Sequence, residues 1–213
     1  MRTKALILGA LLAAALAPAL PAARAASNGE QIRLSVGSHG LAQVMRLLAS
    51  AQDTLDIEMY HLTDRRVLKA LLAAAGRGVR VRIILDPSQR RNLKVPDALE
   101  HPGVEVRWMD TDEGRGELLH AKAALVDCKR LLIGSANWTH TGLSVSHEAG
   151  LVIEDSALAA EFERAFEQDW SRALLQWPSH GLRDEELLSL PDAASFYEDK
   201  PRMHGRRSSG GQE

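Results

Sequence analysis

Apolar and polar positions follow one another along the chain in two alternating periods. Gln31 to Val36 has period two and stops at Gly37, which predicts a short first strand. Ser38 then caps a helix reaching about Ala51, with Leu41, Val44, Met45 and Leu48 on its apolar stripe. Leu55, Ile57 and Met59 alternate with Asp56, Glu58 and Tyr60, the pattern of a strand with one apolar face. Asp64 is placed to cap a second helix that carries Val67, Leu68, Leu71 and Leu72 and stops at Gly76. Val79, Val81, Ile83 and Leu85 predict the next strand, ended by Asp86-Pro87. Arg90 to Glu100 predicts a weak helix, and Val104 to Trp108 a further strand.

Beyond Trp108 the rhythm changes. Asp110 to Glu117 is an acidic, Gly-containing loop. Leu118 to Val126 and Leu131 to Ile133 follow as strands, with Asp127 to Arg130 short enough for a hairpin turn. Ala149 to Ile153 predicts another strand. From Ser156 a long helix sets Leu158, Phe162, Phe166 and Trp170 four apart as one buried stripe. Together these elements predict an α/β fold, a mixed β-sheet flanked by helices on both faces, in a single domain over residues 30–177. Tyr60 and Trp138 read as core or rim packing, with the lining of a substrate cleft as the alternative.

Composition narrows the class. The 213 residues are 45% hydrophobic and 25% charged, which is enough to fill one core and excludes collagen-like and disordered chains. A single cysteine, Cys128, excludes an intrachain disulfide and a multi-cysteine zinc site. Arg2 and Lys4 precede an apolar run from Ala5 to Ala17, and Ala23-Arg24-Ala25 has the small-x-small form of a cleavage site. Residues 1–25 therefore read as a secretory signal peptide, and the mature protein as exported, periplasmic or secreted. The whole chain has a formal charge of −2, and loss of Arg2, Lys4 and Arg24 makes the mature protein more acidic. Residues 178–213 read as a C-terminal extension whose Gly-, Ser- and charge-rich end lacks periodicity and predicts disorder.

Chemistry concentrates in HAKAALVDCKRLLIGSANWT, residues 120–139. On a strand His120 and Lys122 share one face, an imidazole beside a cation, as an anionic substrate requires. Ser135 and Asn137, again two apart, offer neutral donors, and Gly134 lets a ligand approach the backbone. Glu148 precedes a hydrophobic strand, where a carboxylate is placed to hold an imidazole's second nitrogen.

His120, Lys122 and Asp127 match H-x-K-x4-D, and Gly134, Ser135 and Asn137 match the G-S-x-N that follows it. With the DIEMYHLTD segment and the GVRVRIILD strand, they resemble the phospholipase D superfamily over roughly residues 32–175. One motif is present, so the resemblance is to single-motif members, which include bacterial endonucleases and cardiolipin-hydrolase-like proteins. It implies a metal-independent phosphodiesterase with a phosphohistidine intermediate and no cofactor. By position it implies His120 as nucleophile, Lys122 and Asn137 as phosphate ligands and Ser135 as their support. Glu148 would orient a histidine, and Asp127 would serve mainly as a structural partner near the turn.

In-line displacement at phosphorus needs a nucleophile, charge stabilisation and a separate acid for the leaving oxygen. One motif supplies one such histidine, so a homodimer with the site on its two-fold axis would supply the second. His61, His101, His140 and His147 are the rival acids within the chain. Nucleic acid and phospholipid both stay open as substrates; the single-motif resemblance favours an endonuclease, with a phospholipase D releasing lipid head groups as the alternative. Arg77, Arg80, Arg82, Arg90, Arg91 and Lys94 form a basic stretch suited to a phosphate backbone, while Asp110, Asp112, Glu113 and Glu117 oppose it. A catalytically idle binding module on the same fold would have no use for the intact His120, Lys122 and Asn137 set.

Overall fold

The computed structural model describes residues 31–111 and 115–178. The leader over residues 1–25, the extension beyond Pro178, and Asp112 and Glu113 of the acidic loop lie outside the described residues. Seven strands form one mixed sheet in the order β1-β7-β6-β5-β2-β3-β4. They are β1 (Gln31–Gly37), β2 (Thr54–Met59), β3 (Arg80–Leu85), β4 (Val104–Trp108), β5 (Lys122–Val126), β6 (Arg130–Gly134) and β7 (Glu148–Glu154). The helices are α1 (Gly40–Ala49), α2 (Arg65–Gly76), α3 (Val95–Ala98), α4 (His140–Ser144) and α5 (Ser156–Arg172). Arg90–Lys94 is a 3-10 turn, so the weak helix expected there is split in two.

β2, β3 and β4 run parallel, joined by helical crossovers, while β5, β6, β7 and β1 pair antiparallel. All three parallel strands therefore end at the same edge of the sheet as β5 begins. α1 and α2 cover one face, where Leu48, Leu55, Ile57, Leu71, Ile83 and Leu85 are fully buried. α5 covers the other face through Phe166 and Trp170, packed against Ile84, Met109 and Leu119. Helices flank both faces, as the pattern predicts.

Local chemistry explains the element ends. Asp64 accepts from the Arg66 N–H and caps α2, and Gly78 beyond its end takes a positive φ of 95°. Ser38 does not cap α1; His39 holds that position and makes no side-chain cap. The β5–β6 turn has positive φ at Asp127 (53°) and Cys128 (51°), the type I′ twist that suits a tight hairpin.

The polar face of β2 is covered as well: Asp56 and Glu58 are buried beneath α5. Arg82 meets Asp56 through two bonds of 2.7 and 2.9 Å and Glu167 through one of 2.7 Å. Its guanidinium lies 4.8 Å from the Phe166 ring centroid, so this buried charge is both paired and stacked. The α5 stripe fails at its first member. Phe166 and Trp170 are buried, but Leu158 is exposed beyond the part of the sheet that α5 covers.

Candidate active site

The candidate residues gather at the edge where β2 and β3 end and β5 begins. His120 lies just before β5 rather than on it, because its segment is drawn out of the strand by Asp86. Asp86, fully buried at the end of β3, accepts from the Leu119 N–H at 2.7 Å and the Ser88 N–H at 2.9 Å. His120 just ahead of β5 and Lys122 on it stay close, and the Lys122 Nζ donates to the His120 carbonyl at 2.7 Å.

Tyr60 joins them. Its ring lies 4.6 Å from the His120 ring at an angle of 59°, and the Lys122 Nζ sits 4.9 Å over the same ring. The Tyr60 hydroxyl accepts from Gln89 Nε2 at 2.6 Å. Buried Asn92 holds the segment from behind, donating to the Tyr60 carbonyl at 2.8 Å and accepting from the Leu62 N–H at 3.0 Å. The pattern reading of Tyr60 as packing is thus incomplete, since the ring touches both motif side chains. Lys122 is buried, and that burial lowers its pKa, with the Glu148 and Asp86 carboxylates pulling it back up.

β6 and β7 supply the other wall. Ser135 Oγ donates to Glu148 Oε2 at 2.5 Å and accepts from the Ala149 N–H at 3.1 Å. Glu148 thus meets a serine within this chain. Gly134 serves a close backbone approach, but of β7 rather than a ligand: a Cβ there would stand 2.6 Å from the Ala149 carbonyl oxygen. Asn137 is half-buried, and its buried Oδ1 has no hydrogen-bond partner among the described residues. A polar atom left this way costs stability unless a ligand satisfies it. Gly142, in α4, allows the Asn137 segment to close up, since a Cβ there would lie 2.4 Å from the Asn137 carbonyl oxygen. A small cavity of about 30 Å³ reaches Lys122 and Glu148 from the α1 side.

Asp127 is not part of this assembly. It follows the far end of β5, where Oδ1 accepts from the N–H groups of Gln52, Asp53 and Thr54 at 3.0, 2.9 and 3.2 Å. Burial works to raise its pKa, but these donors and Arg130 outweigh it and hold the carboxyl low. The rival imidazoles separate in the same way. His101 precedes β4 at the far edge, its Nδ1 accepting from the Gly103 N–H at 3.0 Å. His61 follows Tyr60 with a buried, unpartnered Nε2, and burial together with Arg91 lowers its pKa. The basic stretch is divided: Arg82 is buried beneath α5, whereas Arg90 and Arg91 are exposed.

An imidazole, a buried ammonium and an amide at the C-terminal edge of parallel strands define an α/β domain with a site for an anionic group. The sequence matches the family described as Cardiolipin synthase, PLD-like domain over residues 44–170, and the chain belongs to that PLD-like family. Among its relatives is the mitochondrial cardiolipin hydrolase of Chlamydomonas reinhardtii, 33% identical over 131 residues, covering 61% of this chain and 57% of that protein. The virion nicking-joining enzyme of Vaccinia virus (strain Western Reserve) is 32% identical over 134 residues, covering 58% of this chain and 31% of the viral protein. The chain spans just over half the length of the cardiolipin hydrolases it matches. In fold it is similar to NucT from Helicobacter pylori, with a TM-score of 0.63, 22% identity, and coverage of 68% of this chain and 98% of that one. Nuc from Salmonella typhimurium gives a TM-score of 0.61 at 23% identity, over 68% of this chain and 96% of that one.

Proposed function

We propose that this chain is a metal-independent phosphodiesterase that works through a phosphohistidine at His120, with nucleic acid as its substrate. The observation that carries the reading is the placement of His120, Lys122 and Asn137 at one edge of the sheet, the last with a buried amide oxygen that has no partner among the described residues. A ring nitrogen of His120 attacks phosphorus, the P–O bond to the leaving group breaks, and an acid protonates that oxygen. Water then attacks the phosphohistidine, the P–N bond breaks, and the water's proton passes to the same group acting as base. The Lys122 ammonium would offset charge on the equatorial oxygens, and Ser135, held by Glu148, would support the phosphate from the other wall.

The acid is the second imidazole of a homodimer. In support, an apolar sheet face ends at the Ser135–Glu148 pair. On it Ile32, Leu34, Val36 and Ile133 are 67, 66, 59 and 44% exposed. Ile32 pairs with Ile153 and Leu34 with Leu151, so these side chains form one continuous surface beside α5. Such a patch suits an isologous contact that would bring two sites together.

The test is to incubate the protein with plasmid, single-stranded nucleic acid and phospholipid vesicles, with and without excess chelator. Nucleic-acid cleavage that survives chelator and falls by about 10³ or more in His120→Ala is expected. Loss of activity in chelator with recovery on added magnesium would refute the mechanism. Head-group release without cleavage of either nucleic acid would refute the substrate.

A further inference from the structure

A larger recess opens on the α1 side of the sheet, between α1 and edge strand β1, with a volume of about 770 Å³. It shares Ser35 and Gln43 with the small cavity that reaches Lys122 and Glu148, so the two adjoin, with the Gln43 side chain between them donating to the Arg33 carbonyl at 3.4 Å. One wall is a stripe of α1: His39, Gln43, Arg46 and Ser50 recur three or four residues apart and all line the recess. The other wall is β1, where Arg33 pairs with the buried Val152 and so projects to the α1 side. Arg130 enters at the far end, donating to Ser50 Oγ at 2.6 Å.

Three guanidiniums, Arg33, Arg46 and Arg130, and one carboxylate, Glu154, line this groove, and Arg130 at its far end is ion-paired with Asp127 at 2.7 Å. Among the described residues no carboxylate ion-pairs with Arg33 or Arg46; Arg33 meets only the Gln31 side-chain oxygen, at 3.0 Å. Around the end of α1 a neighbouring recess, again lined by Ser50, Arg130 and Glu154, adds Arg77, Lys129 and the Asp127 carboxylate. From His39 to Ser50 the helix wall runs about 17 Å at 1.5 Å per residue. At about 3.4 Å per charge along one strand, that length holds about five phosphates. A phospholipid carries its phosphate at one end and would need cations at one depth, whereas these cations are spread along the groove.

We propose that the α1–β1 groove is the track that leads a nucleic-acid strand into the catalytic recess. The assignment rests on the phosphodiesterase reading above and identifies where its substrate lies. Negative phosphates at regular intervals would meet Arg46, Arg33 and Arg130 in turn, and His39 stands at the catalytic end.

The test uses the full chain with His120→Ala, so that a labelled single-stranded oligonucleotide longer than the groove binds without turnover. Its affinity is measured between about 50 and 200 mM salt. The double variant Arg33→Gln/Arg46→Gln should flatten the slope of log K against log salt by about 1.4, about 0.7 for each lost phosphate contact. Arg33→Lys/Arg46→Lys should keep the slope, and Lys69→Ala on the exposed side of α2 should leave it unchanged. An unaltered slope in a folded glutamine variant overturns the proposal. So does weakened binding to phosphatidylglycerol vesicles with oligonucleotide binding intact, which would make the groove a membrane contact. Failure of the catalytic reading shows separately. A wild type that cleaves no diester but loses oligonucleotide affinity on Arg33/Arg46 substitution keeps the track and loses the enzyme.

Discussion

Glu58 makes stability depend on pH in an uncommon direction. It sits on the α5-facing side of β2, between Ile84 and Ala123 on the neighbouring strands, with Oε1 buried and unpartnered. The nearby cation, Arg82, is already committed to Asp56 and Glu167. Burial, and then the negative charge of Asp169, push the Glu58 carboxyl from 4.5 up to about 7. Between those two values the unfolded chain has released this proton and the folded chain still holds it. Folding stability from this group is therefore full below pH 4.5, falls as pH rises, and is lost above about pH 7. At 1.36 kcal/mol per unit, the cost of the ionised group reaches about 3 kcal/mol at pH 8 and about 1 kcal/mol at pH 5.

Glu58→Gln keeps the shape and removes the ionisation. Relative to wild type it should gain about 3 kcal/mol at pH 8 and about 1 kcal/mol at pH 5, read from urea midpoints at constant m. Other titrating groups are common to both proteins and cancel in the difference. Any fixed effect of the new amide shifts both values equally. A wild-type-to-variant difference that stays constant from pH 5 to pH 8 would show that Glu58 ionises normally and refute the argument.

Three further outcomes follow from single contacts. Asp127→Ala strands the N–H groups of Gln52, Asp53 and Thr54 and should cost about 2 kcal/mol by denaturant melt, with kcat largely kept because the residue stands at the far edge. Gly142→Ala drives a Cβ against the Asn137 carbonyl and should lower kcat at least tenfold while the circular dichroism spectrum stays native; full activity would detach Asn137 from the reaction. Mixing His120→Ala subunits equally into wild type, with exchange verified, should leave about a quarter of the activity if only wild-type pairs work, and about half if each chain is complete.

What could be read from the linear chain was what lies close along it. The motif residues His120, Lys122 and Asn137 fall within one short stretch, and the strand and helix periods around them predict the sheet that carries them. What escaped depends on long-range contacts. Asp86 acts on Leu119, 33 positions away, and pulls His120 off the strand; in sequence it is only the residue before a proline. Tyr60 reaches His120 because Asn92 pins its backbone, and no spacing rule links those three. Asp56 and Glu58 look like a solvated strand face because alternation reports polarity and not coverage. Here α5, about a hundred residues downstream, folds over them.

The distribution of charge and apolar surface around the β1 edge ties these features together. α5 covers β6, β5 and the strands beyond them but leaves the β1–β7 face bare, so Ile32, Leu34 and Val36 stay exposed on one side of an edge strand. On the other side of the same strand Arg33 faces the groove of α1. Both surfaces run to the edge where Ser135 and Glu148 meet. An apolar surface is best spent on a partner that stays, and a row of guanidiniums on a substrate that comes and goes. A second copy seated on the apolar side would leave the basic side open and would bring a second imidazole towards the first. His61 is a poor substitute for that imidazole, because burial and Arg91 disfavour the proton an acid must carry. One edge strand thus separates the surface that would complete the catalytic pair from the surface that would feed it.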